Sequence, residues 1–564
     1  MKDTDKIFCS IILDVLQKKG VKDVVCSPGS RNAPLLIAAA SRPELRKHVV
    51  TDERSGAFMA LGISTVSRQP VALICTSGTA LLNYGPAVAE AFYQGVPLVV
   101  LSADRPMQWI DQDDSQTLRQ FEAFSNYIKK SYEIPAFGEE EKELQWYANR
   151  IANDAMIEAT SGRPGPVHIN IQLAEPLGRK REQTQEKPRI IEILEADSFG
   201  NKEIIRDLGK KFADSKVLMV FGFMPPDAGM QKAVAEISRL GNVTIMAETL
   251  SNLHLDGEAN MLDSVLTAYN EDTLDKMAPD LIISCGGSLV SRKLKEYLRR
   301  NSHRCEHWLL GKYHTTVDCF MSMTLRIDAD PVRFLRGLGS VARKFKTKEN
   351  SNYKDRWSHL RKEAMVLKDS FVEKASWSEL KAFNLILNSL NHDVNLFLSN
   401  GTAVRYAQII NYRLPHASYC NRGVSGIDGS VSTAIGGAKA YGGPTLLITG
   451  DLSLKYDIGA LALSNIPDRM KIIMIDNQGG GIFRFIPSTS ELEEREEYFC
   501  VNENFPLKGV AESFEWKYFE AKEEKSLKNN LKEFLTYKGK AILKVVCPPI
   551  ESADILKNYM KLKI

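Results

Sequence analysis

The 564-residue chain has no long hydrophobic run and little net charge. No stretch of about eighteen apolar residues occurs, so the sequence predicts no membrane-spanning helix. The formal net charge is only +3, which is small for this length and argues against a nucleic-acid-binding surface, because such a surface would need clustered basic residues. The hydrophobic fraction of 44% is typical of a globular protein. We therefore expect a globular protein of several domains, with no nucleic-acid partner and no membrane span.

Cysteine pairs of the CxxC type are also absent. The nine cysteines are scattered, and Cys26, Cys75, Cys285 and Cys547 lie inside or beside apolar runs typical of strands. This pattern predicts small buried side chains in a reducing compartment, and we expect the protein to be cytoplasmic. Residues 1–20 carry acidic side chains around a short apolar stripe, which predicts an amphipathic helix and not a secretory signal.

Strand patterns alternate with helix patterns in three successive blocks. The predicted strands are 24–26, 71–75, 98–101 and 167–171 in the first block, 217–221, 243–246, 281–284 and 324–327 in the second, and 396–399, 445–449, 471–475 and 541–546 in the third. Polar stretches at 178–187 and 344–354 separate the blocks. The pattern predicts an α/β protein with three doubly wound parallel-sheet domains, at 1–180, 190–345 and 360–564.

Two polar residues follow neighbouring predicted strands of the third block. Asp451 comes just past 445–449, and Asn477 comes just past 471–475, with 457–464 long enough for a crossover helix. A right-handed crossover brings the carboxyl ends of parallel strands together, where α/β sheets bind ligands. Few hard oxygen ligands suit Mg²⁺, which keeps positions for phosphate and water. The segment predicts a metal clamp for a diphosphate, although Asp451 could instead cap the following helix.

Three turns of the first block carry further candidates. Ser30 and Arg31 follow a predicted strand in a Gly/Ser turn, which could cradle an anion or be only a tight turn. Glu53 opens a helix of small residues and could serve a ligand or the helix dipole. Small residues at 76–80 would let a backbone or a flat ring approach closely.

The order of these motifs resembles the thiamine-diphosphate enzyme superfamily. The motifs are SPGSR, DERSGAF, TSGTALLN and a late GD…N pair. The first block resembles its pyrimidine-binding (PYR) domain and the third its diphosphate-binding (PP) domain, around a central domain. More narrowly, SPGSRNAPL, SADRP, NRGVSGIDG, and GDLSLKYD with NQGGGIF resemble the family of 2-succinyl-5-enolpyruvyl-6-hydroxy-3-cyclohexene-1-carboxylate (SEPHCHC) synthases.

The resemblance implies a transferase of menaquinone biosynthesis. Such an enzyme decarboxylates 2-oxoglutarate and adds the succinyl-semialdehyde unit to isochorismate by conjugate addition, giving SEPHCHC and carbon dioxide. It implies thiamine diphosphate and Mg²⁺ (or Mn²⁺) as cofactors. It also implies a homodimer or homotetramer in which active sites form between the first block of one chain and the third block of another.

The resemblance also implies roles for particular residues. Glu53 matches the catalytic glutamate that hydrogen-bonds the cofactor's aminopyrimidine. Asp451, Asn477 and the carbonyl of Gly479 match the metal ligands, and Ile427 and Ser453 match further cofactor-binding positions. The positions that match the substrate pocket are Ser30, Arg31, Arg105, Ser115, Gln116, Arg292, Lys293, Arg405, Arg422, Tyr456, Ile482 and Phe483. Because arginine forks favour carboxylates and each expected substrate carries two, the cationic set fits both.

Two alternatives stay open on sequence grounds. Another thiamine-diphosphate enzyme of 2-oxoacids, such as an acetohydroxyacid synthase, would want a smaller and less cationic pocket. A catalytically inactive, cofactor-binding regulatory protein would keep the motifs without turnover, although Glu53, Asp451 and Asn477 are all in place.

Overall fold

The computed structural model describes residues 2–137, 140–182, 188–194, 202–255, 262–345, 350–410, 412, 415–501 and 505–564. The chain forms two compact units. The first unit comprises Met1–Glu195, Asn421–Thr445 and Ser453–Met470, and the second comprises Ala196–Cys420, Leu446–Leu452 and Lys471–Ile564.

The first unit is built on a six-stranded parallel sheet. The strands of its N-terminal part are β1 (Lys2–Thr4), β2 (Asp23–Cys26), β3 (Arg46–Val49), β4 (Val71–Cys75), β5 (Leu98–Asp104), β6 (Ser131–Ile134), β7 (Val167–Gln172) and β8 (Lys180–Glu182). The helices are α1 (Ile7–Lys18), α2 (Ala33–Ala40), α3 (Glu53–Ser67), α4 (Thr79–Asn83), α5 (Gly85–Gln94) and α6 (Glu141–Thr160). The sheet order is β3-β2-β4-β5-β7-β6, and β1 pairs with β8 in a separate antiparallel pair.

Helices cover both faces of this sheet, so that its central strands β2, β4, β5 and β7 are buried at every position. Val24 and Cys26 of β2 pack in one core with α1, α2 and α6. Val25, between them, points to the other face and packs with α3 and α5. Burial on both faces explains why β4, VALIC, is a continuous apolar run without polar alternation.

The second unit contains a five-stranded parallel sheet of order β10-β9-β11-β12-β13. Its strands are β9 (Val217–Phe221), β10 (Val243–Ala247), β11 (Leu281–Cys285), β12 (Glu306–Leu310) and β13 (Met323–Ile327). Its helices are α7 (Lys202–Asp214), α8 (Ala228–Ile237), α9 (Leu262–Ala268), α10 (Glu271–Asp275), α11 (Arg292–Arg300), α12 (Pro331–Ala342) and α13 (Tyr353–Lys374). Separate cores lie on its two faces.

A six-stranded sheet of order β15-β14-β16-β17-β19-β18 follows. Its strands are β14 (Asn395–Leu398), β15 (Ala417–Tyr419), β16 (Thr445–Gly450), β17 (Met470–Asp476), β18 (Lys517–Ala521) and β19 (Ala541–Val546). The helices of this stretch are α14 (Glu379–Asn388), α15 (Ala403–Ile409), α16 (Ser430–Tyr441), α17 (Asp451–Tyr456), α18 (Leu507–Ser513), α19 (Glu524–Thr536) and α20 (Pro549–Met560). β14 pairs with β15, and β19 with β17 and β18, all in parallel.

Helix α16 belongs to the first unit, where it packs tightly against α3. A Cβ at Gly62 would lie 1.9 Å from the Thr433 carbonyl oxygen, and a Cβ at Gly436 would lie 2.0 Å from the Met59 carbonyl oxygen. Only glycine allows the two backbones to approach this closely. The contact fixes α3, which begins at Glu53, against the helix that follows the loop 421–429.

The predicted α/β class with three parallel sheets is confirmed. Each sheet lies within one of the three predicted ranges, while the domain boundaries themselves stay a prediction. The amphipathic N-terminal helix is present as α1, and all nine cysteines are free thiols, eight of them buried. Within the described ranges no helix is long and apolar enough to cross a membrane.

Two details of the prediction were wrong. The polar stretch 178–187 contains strand β8, and its residues 183–187 lie outside the described part of the chain. The crossover after β16 begins at Asp451 itself, as α17, and continues as the 3-10 helix Ile458–Ala462. Residues 346–349 of the second polar stretch also lie outside the described ranges.

Candidate functional site

Glu53 opens α3 immediately beyond strand β3. Asp52 caps this helix, because its carboxylate accepts hydrogen bonds from the Ser55 backbone N–H at 3.3 Å and from the Ser55 hydroxyl at 3.0 Å. Glu53 is half-buried. Burial raises the pKa of the Cys75 thiol at the end of β4, and the charge of Glu53 adds to that rise. The carboxylate of Glu53 therefore lies near the carboxyl end of the sheet, where α/β proteins bind ligands.

Two predicted substrate arginines follow strands of the same sheet. Arg31, buried after β2, donates to the Leu173 carbonyl at 2.9 Å and pairs with Glu175 at 3.3 Å. Arg105, directly after β5, pairs with Asp114 at 2.8 Å. Burial lowers the pKa of Arg31, and the positive charge of Arg105 lowers it further. The two guanidinium groups therefore lie close enough to interact, and each is paired with a carboxylate.

The remaining predicted substrate residues of this edge are more exposed. Ser30, Ser115 and Gln116 all face solvent. The Ser115 carbonyl accepts a hydrogen bond from Arg105 at 3.1 Å, and Gln116 donates to the Ser77 carbonyl at 3.0 Å. Gln116 adopts a left-handed φ of 56°, which is uncommon for a side-chain-bearing residue outside tight turns. The loop that carries Ser115 and Gln116 is therefore hydrogen-bonded to residues that follow β4 and β5.

The loop 421–429 carries Arg422 and Ile427 in the same unit. Ile427 is 38% exposed, and its carbonyl accepts a hydrogen bond from the Ser453 hydroxyl at 2.7 Å. Arg422 is half-buried. Tyr456 is exposed, with the Arg54 guanidinium 5.1 Å from its ring centroid. Ile427 and Val424, which is 48% exposed, are thus the two apolar side chains of an otherwise polar and glycine-rich loop.

Glu90 anchors this loop from helix α5. Its carboxylate, 1% exposed, accepts hydrogen bonds from the backbone N–H groups of Gly423 at 2.6 Å and Val424 at 2.7 Å. Burial raises the pKa of Glu90, against the opposing effect of these hydrogen bonds and of Gln94. The buried charge is compensated by the loop that it holds.

In the second unit, Asp451 and the loop after β17 meet at one sheet edge. Asp451 Oδ2 accepts a hydrogen bond from the Gly479 N–H at 2.7 Å. Burial raises the pKa of Asp451, so a cation beside it would favour the charged form. Gln478, Gly479 and Gly480 all have left-handed φ angles, and a Cβ at Gly479 would lie 2.2 Å from the Val501 carbonyl oxygen. The glycine is needed for this turn.

Among the three polar residues at the end of β17, Asn477 is the one whose side chain is buried. Asp476 pairs with Lys544 at 2.8 Å, and Gln478 is exposed. The Asn477 side chain is buried, and its Oδ1 has no hydrogen-bond partner in the described part of the chain. A buried carbonyl oxygen without a donor is unusual and costly, and a hard cation would satisfy it. The Asp451, Asn477 and Gly479 oxygens therefore fit Mg²⁺ or Mn²⁺.

Ile482 and Phe483 lie on the 3-10 helix Gly481–Arg484, directly after this turn. Both are half-buried, and Phe483 packs against Phe499 with ring centroids 5.6 Å apart. The next residue, Arg484, is 3% exposed and donates to the carbonyls of Asn477 at 2.9 Å and Gly479 at 3.2 Å. It also pairs with Glu496, in the acidic segment 491–497, at 2.8 Å.

Of the predicted cationic residues in the second unit, Lys293 and Arg405 both lie near the Asp263 carboxyl group, whereas Arg292 pairs with another residue. Burial raises the pKa of the Asp263 carboxyl, and the charges of Lys293 and Arg405 both oppose that rise. Lys293 also donates to the Thr267 hydroxyl at 2.9 Å. Arg292 is exposed and pairs with Glu296 at 2.6 Å on the same helix. Lys293 is therefore the member of the pair that faces inward.

The sequence did not single out Glu90, Glu379 or Arg484. Each is a buried charge that holds a loop of the candidate site. Glu90 had a signal, since it is the one acid in an otherwise apolar helix, GPAVAEAFYQ. Glu379 and Arg484 had none, because their partners lie far away in sequence or on the backbone.

Comparison with known proteins identifies the class to which the chain belongs. Residues 8–123 match the family model described as thiamine pyrophosphate enzyme, N-terminal TPP binding domain, and residues 400–545 match its C-terminal TPP binding domain. The parallel-sheet fold and both matched domains define a thiamine pyrophosphate enzyme.

Similar proteins narrow the class. A SEPHCHC synthase of Porphyromonas gingivalis is 39% identical over 99% of this chain and 97% of its own length. Those of Flavobacterium johnsoniae and Bacteroides fragilis are 35% and 34% identical, over 98% and 99% of both chains. The chain belongs to the SEPHCHC synthase family.

Proposed function

We propose that the protein decarboxylates 2-oxoglutarate and adds the succinyl-semialdehyde unit to isochorismate, giving SEPHCHC and carbon dioxide in menaquinone biosynthesis. The observation that carries the proposal is the similarity to proteins named SEPHCHC synthase over 99% of the chain, at 39% identity. The presence of Glu53, Asp451 and Asn477 supports turnover over a purely regulatory role.

Each half of the candidate site would have its own task. Asp451, Asn477 and the Gly479 carbonyl would hold Mg²⁺ or Mn²⁺, and Ile427 and Ser453 would contact thiamine diphosphate. When bound, this cofactor accepts the electron pair that is released as carbon dioxide leaves a 2-oxo acid. Glu53 would hold a proton between its carboxyl oxygen and the cofactor's ring nitrogen N1′.

The cationic residues would bind and orient the substrates. Both substrates are dicarboxylates, and the Arg31 and Arg105 guanidinium groups lie close enough to each other to interact. Arg405, Arg422 and Lys293 would supply the other cationic contacts, with Arg292 as a further candidate. The neighbouring residues Ser30, Ser115, Gln116, Tyr456, Ile482 and Phe483 would complete the pocket. We further propose three domains, PYR, central and PP, in a cytoplasmic dimer or tetramer with active sites between chains.

The test follows carbon dioxide release and loss of isochorismate absorbance together. The full-length protein is assayed with thiamine diphosphate, Mg²⁺, 2-oxoglutarate and isochorismate. Glu53→Gln should lower kcat by about 10²- to 10⁴-fold, the range expected for a lost proton-transfer group. Glu512→Gln, an exposed glutamate on α18, is the matched control and should leave the rate unchanged. Carbon dioxide released without isochorismate loss would instead indicate a decarboxylase or synthase with another acceptor.

A further inference from the structure

Glu379 is a buried carboxyl group with no part in the function proposed above. It is the first residue of α14, and only 3% of it is exposed. Its position is fixed, because Ser378 caps the helix and the Glu379 N–H donates to the Ser552 hydroxyl at 3.1 Å. Burying a carboxyl costs free energy, so a specific partner is expected.

That partner is the side-chain amide of Asn477. Asn477 Nδ2 donates to Glu379 Oε1 at 3.0 Å. The two ends of an amide have nearly the same shape, but a carboxylate can only accept hydrogen bonds. If the amide were turned over, two acceptor oxygens would face each other at this distance. The carboxylate therefore selects the orientation in which Oδ1 points away from it.

The surroundings leave the amide no other freedom. A Cβ at Gly481 would lie 2.3 Å from Asn477 Nδ2 and 3.2 Å from Glu379 Oε1, so the space beside the amide is already full. Arg484 holds the backbone of the same turn through the carbonyls of Asn477 and Gly479. The remaining freedom is which end of the Asn477 side-chain amide, Oδ1 or Nδ2, faces Glu379, and the hydrogen bond to Glu379 decides this.

We propose that Glu379 is a positioning residue for the metal site: it holds the Asn477 amide so that the buried, unpartnered Oδ1 faces the divalent cation. The inference rests on the proposed function, because that function requires the cation. Residues that orient metal ligands in this way typically change metal affinity by about 10- to 100-fold when they are replaced.

Binding of Mn²⁺ tests the proposal without turnover. Free Mn²⁺ is measured by electron paramagnetic resonance in titrations of the full-length protein with saturating thiamine diphosphate and no substrate. Glu379→Met, which fills a similar volume but cannot accept the bond, should raise the Kd by about 10- to 100-fold. Glu379→Gln, whose carbonyl oxygen can still accept, should stay within about threefold. Glu379→Leu replaces the Met variant if that variant does not fold.

A double variant separates positioning from general structural damage. An aspartate at position 477 has two equivalent oxygens and needs no orientation. Glu379→Met combined with Asn477→Asp should therefore recover the wild-type Kd to within about threefold. Wild-type affinity in Glu379→Met, or no recovery in the double variant, would overturn the proposal. Asn477→Ala should lose Mn²⁺ in every case. A wild-type protein that takes up no Mn²⁺ would overturn the proposed function itself.

Discussion

Replacing Glu90 should loosen the loop 421–429 far more than it disturbs the rest of the first unit. The carboxylate, 1% exposed, accepts backbone hydrogen bonds from Gly423 at 2.6 Å and Val424 at 2.7 Å. Glutamine at this position offers one acceptor oxygen where two are needed, and its NH₂ group would face a backbone N–H. Leucine offers none.

The expected loss of stability follows from the number of backbone N–H groups that lose their hydrogen-bond acceptor. Each buried N–H without a partner costs about 1–3 kcal/mol. We therefore expect Glu90→Gln to destabilise the loop by about 1–3 kcal/mol and Glu90→Leu by about 2–5 kcal/mol, since part of the cost of burying the charge is recovered. Gly423 cannot compensate with a larger residue, because a Cβ there would lie 2.5 Å from the Glu90 carbonyl oxygen.

Hydrogen exchange read by mass spectrometry measures this loop directly. A loss of about 1.4 kcal/mol in local stability speeds amide exchange about tenfold, so peptides covering 421–429 should exchange about 10-fold faster in Glu90→Gln, with a larger change in Glu90→Leu. Because the loop carries Arg422, KM for the 2-oxo acid should rise as well. Glu143→Gln, an exposed glutamate on α6, is the control. Unchanged exchange at 421–429 in the Leu variant would refute the reasoning.

Two further predictions concern the same unit. Gly62→Ala should lower the free energy of unfolding, measured by urea denaturation, by about 1–3 kcal/mol or more, because the new methyl group would lie 1.9 Å from the Thr433 carbonyl oxygen. The control is Gly509→Ala in α18, which has open space around it and should be neutral. Burial lowers the pKa of His168 from 6.5 to about 3. Between these two pH values the folded state binds fewer protons than the unfolded state. The stability that this group contributes, up to about 5 kcal/mol, is therefore lost as the pH falls from 6.5 towards 3. His168→Gln should therefore flatten the fall of Tm between pH 7 and pH 4, whereas His303→Gln, an exposed control, should not; parallel curves for wild type and His168→Gln would contradict this assignment.

The strands that sequence patterns predicted are mostly central, and those they missed are mostly at sheet edges. The pattern predicted β4, β9 and β19 to the residue, because β4 and β9 are apolar runs buried at every position and β19 is apolar except at Lys544. Strand β3, RKHV, lies at an edge with three of its four residues exposed. Strand β12 was missed although it lies inside its sheet, because Glu306 and His307 make its start polar. An exposed edge strand such as β3 carries no apolar run to detect, whereas the edge strand β10, VTIMA, is buried and was predicted.

The residues of the candidate site also fall into two groups, those whose place local sequence predicts and those whose place it does not. Residues such as Arg31, Glu53, Arg105 and Asn477 sit in turns after strands, where local sequence and topology together predict their place. The residues that hold those turns could not be found in this way. Glu379 acts on Asn477 across 98 positions of sequence, and Glu90 acts on Gly423 across 333. Pairing at such a distance is set by tertiary packing, which no local pattern encodes.

Both units use the same physical device to hold a glycine-containing loop. In the first, a buried helix carboxylate accepts N–H groups of the loop 421–429; in the second, a buried helix carboxyl accepts the amide of Asn477, beside Gly481. Burial raises the pKa of both acids, to about 7 for Glu379, so each is costly unless its donors stay in place. That cost favours a single position of the loop. If the loop moved away, the buried carboxyl group and the N–H groups of the loop would both lose their hydrogen-bond partners. A neutral apolar contact could be equally stable but would tolerate several loop positions, whereas a buried, hydrogen-bonded carboxyl group specifies one of them.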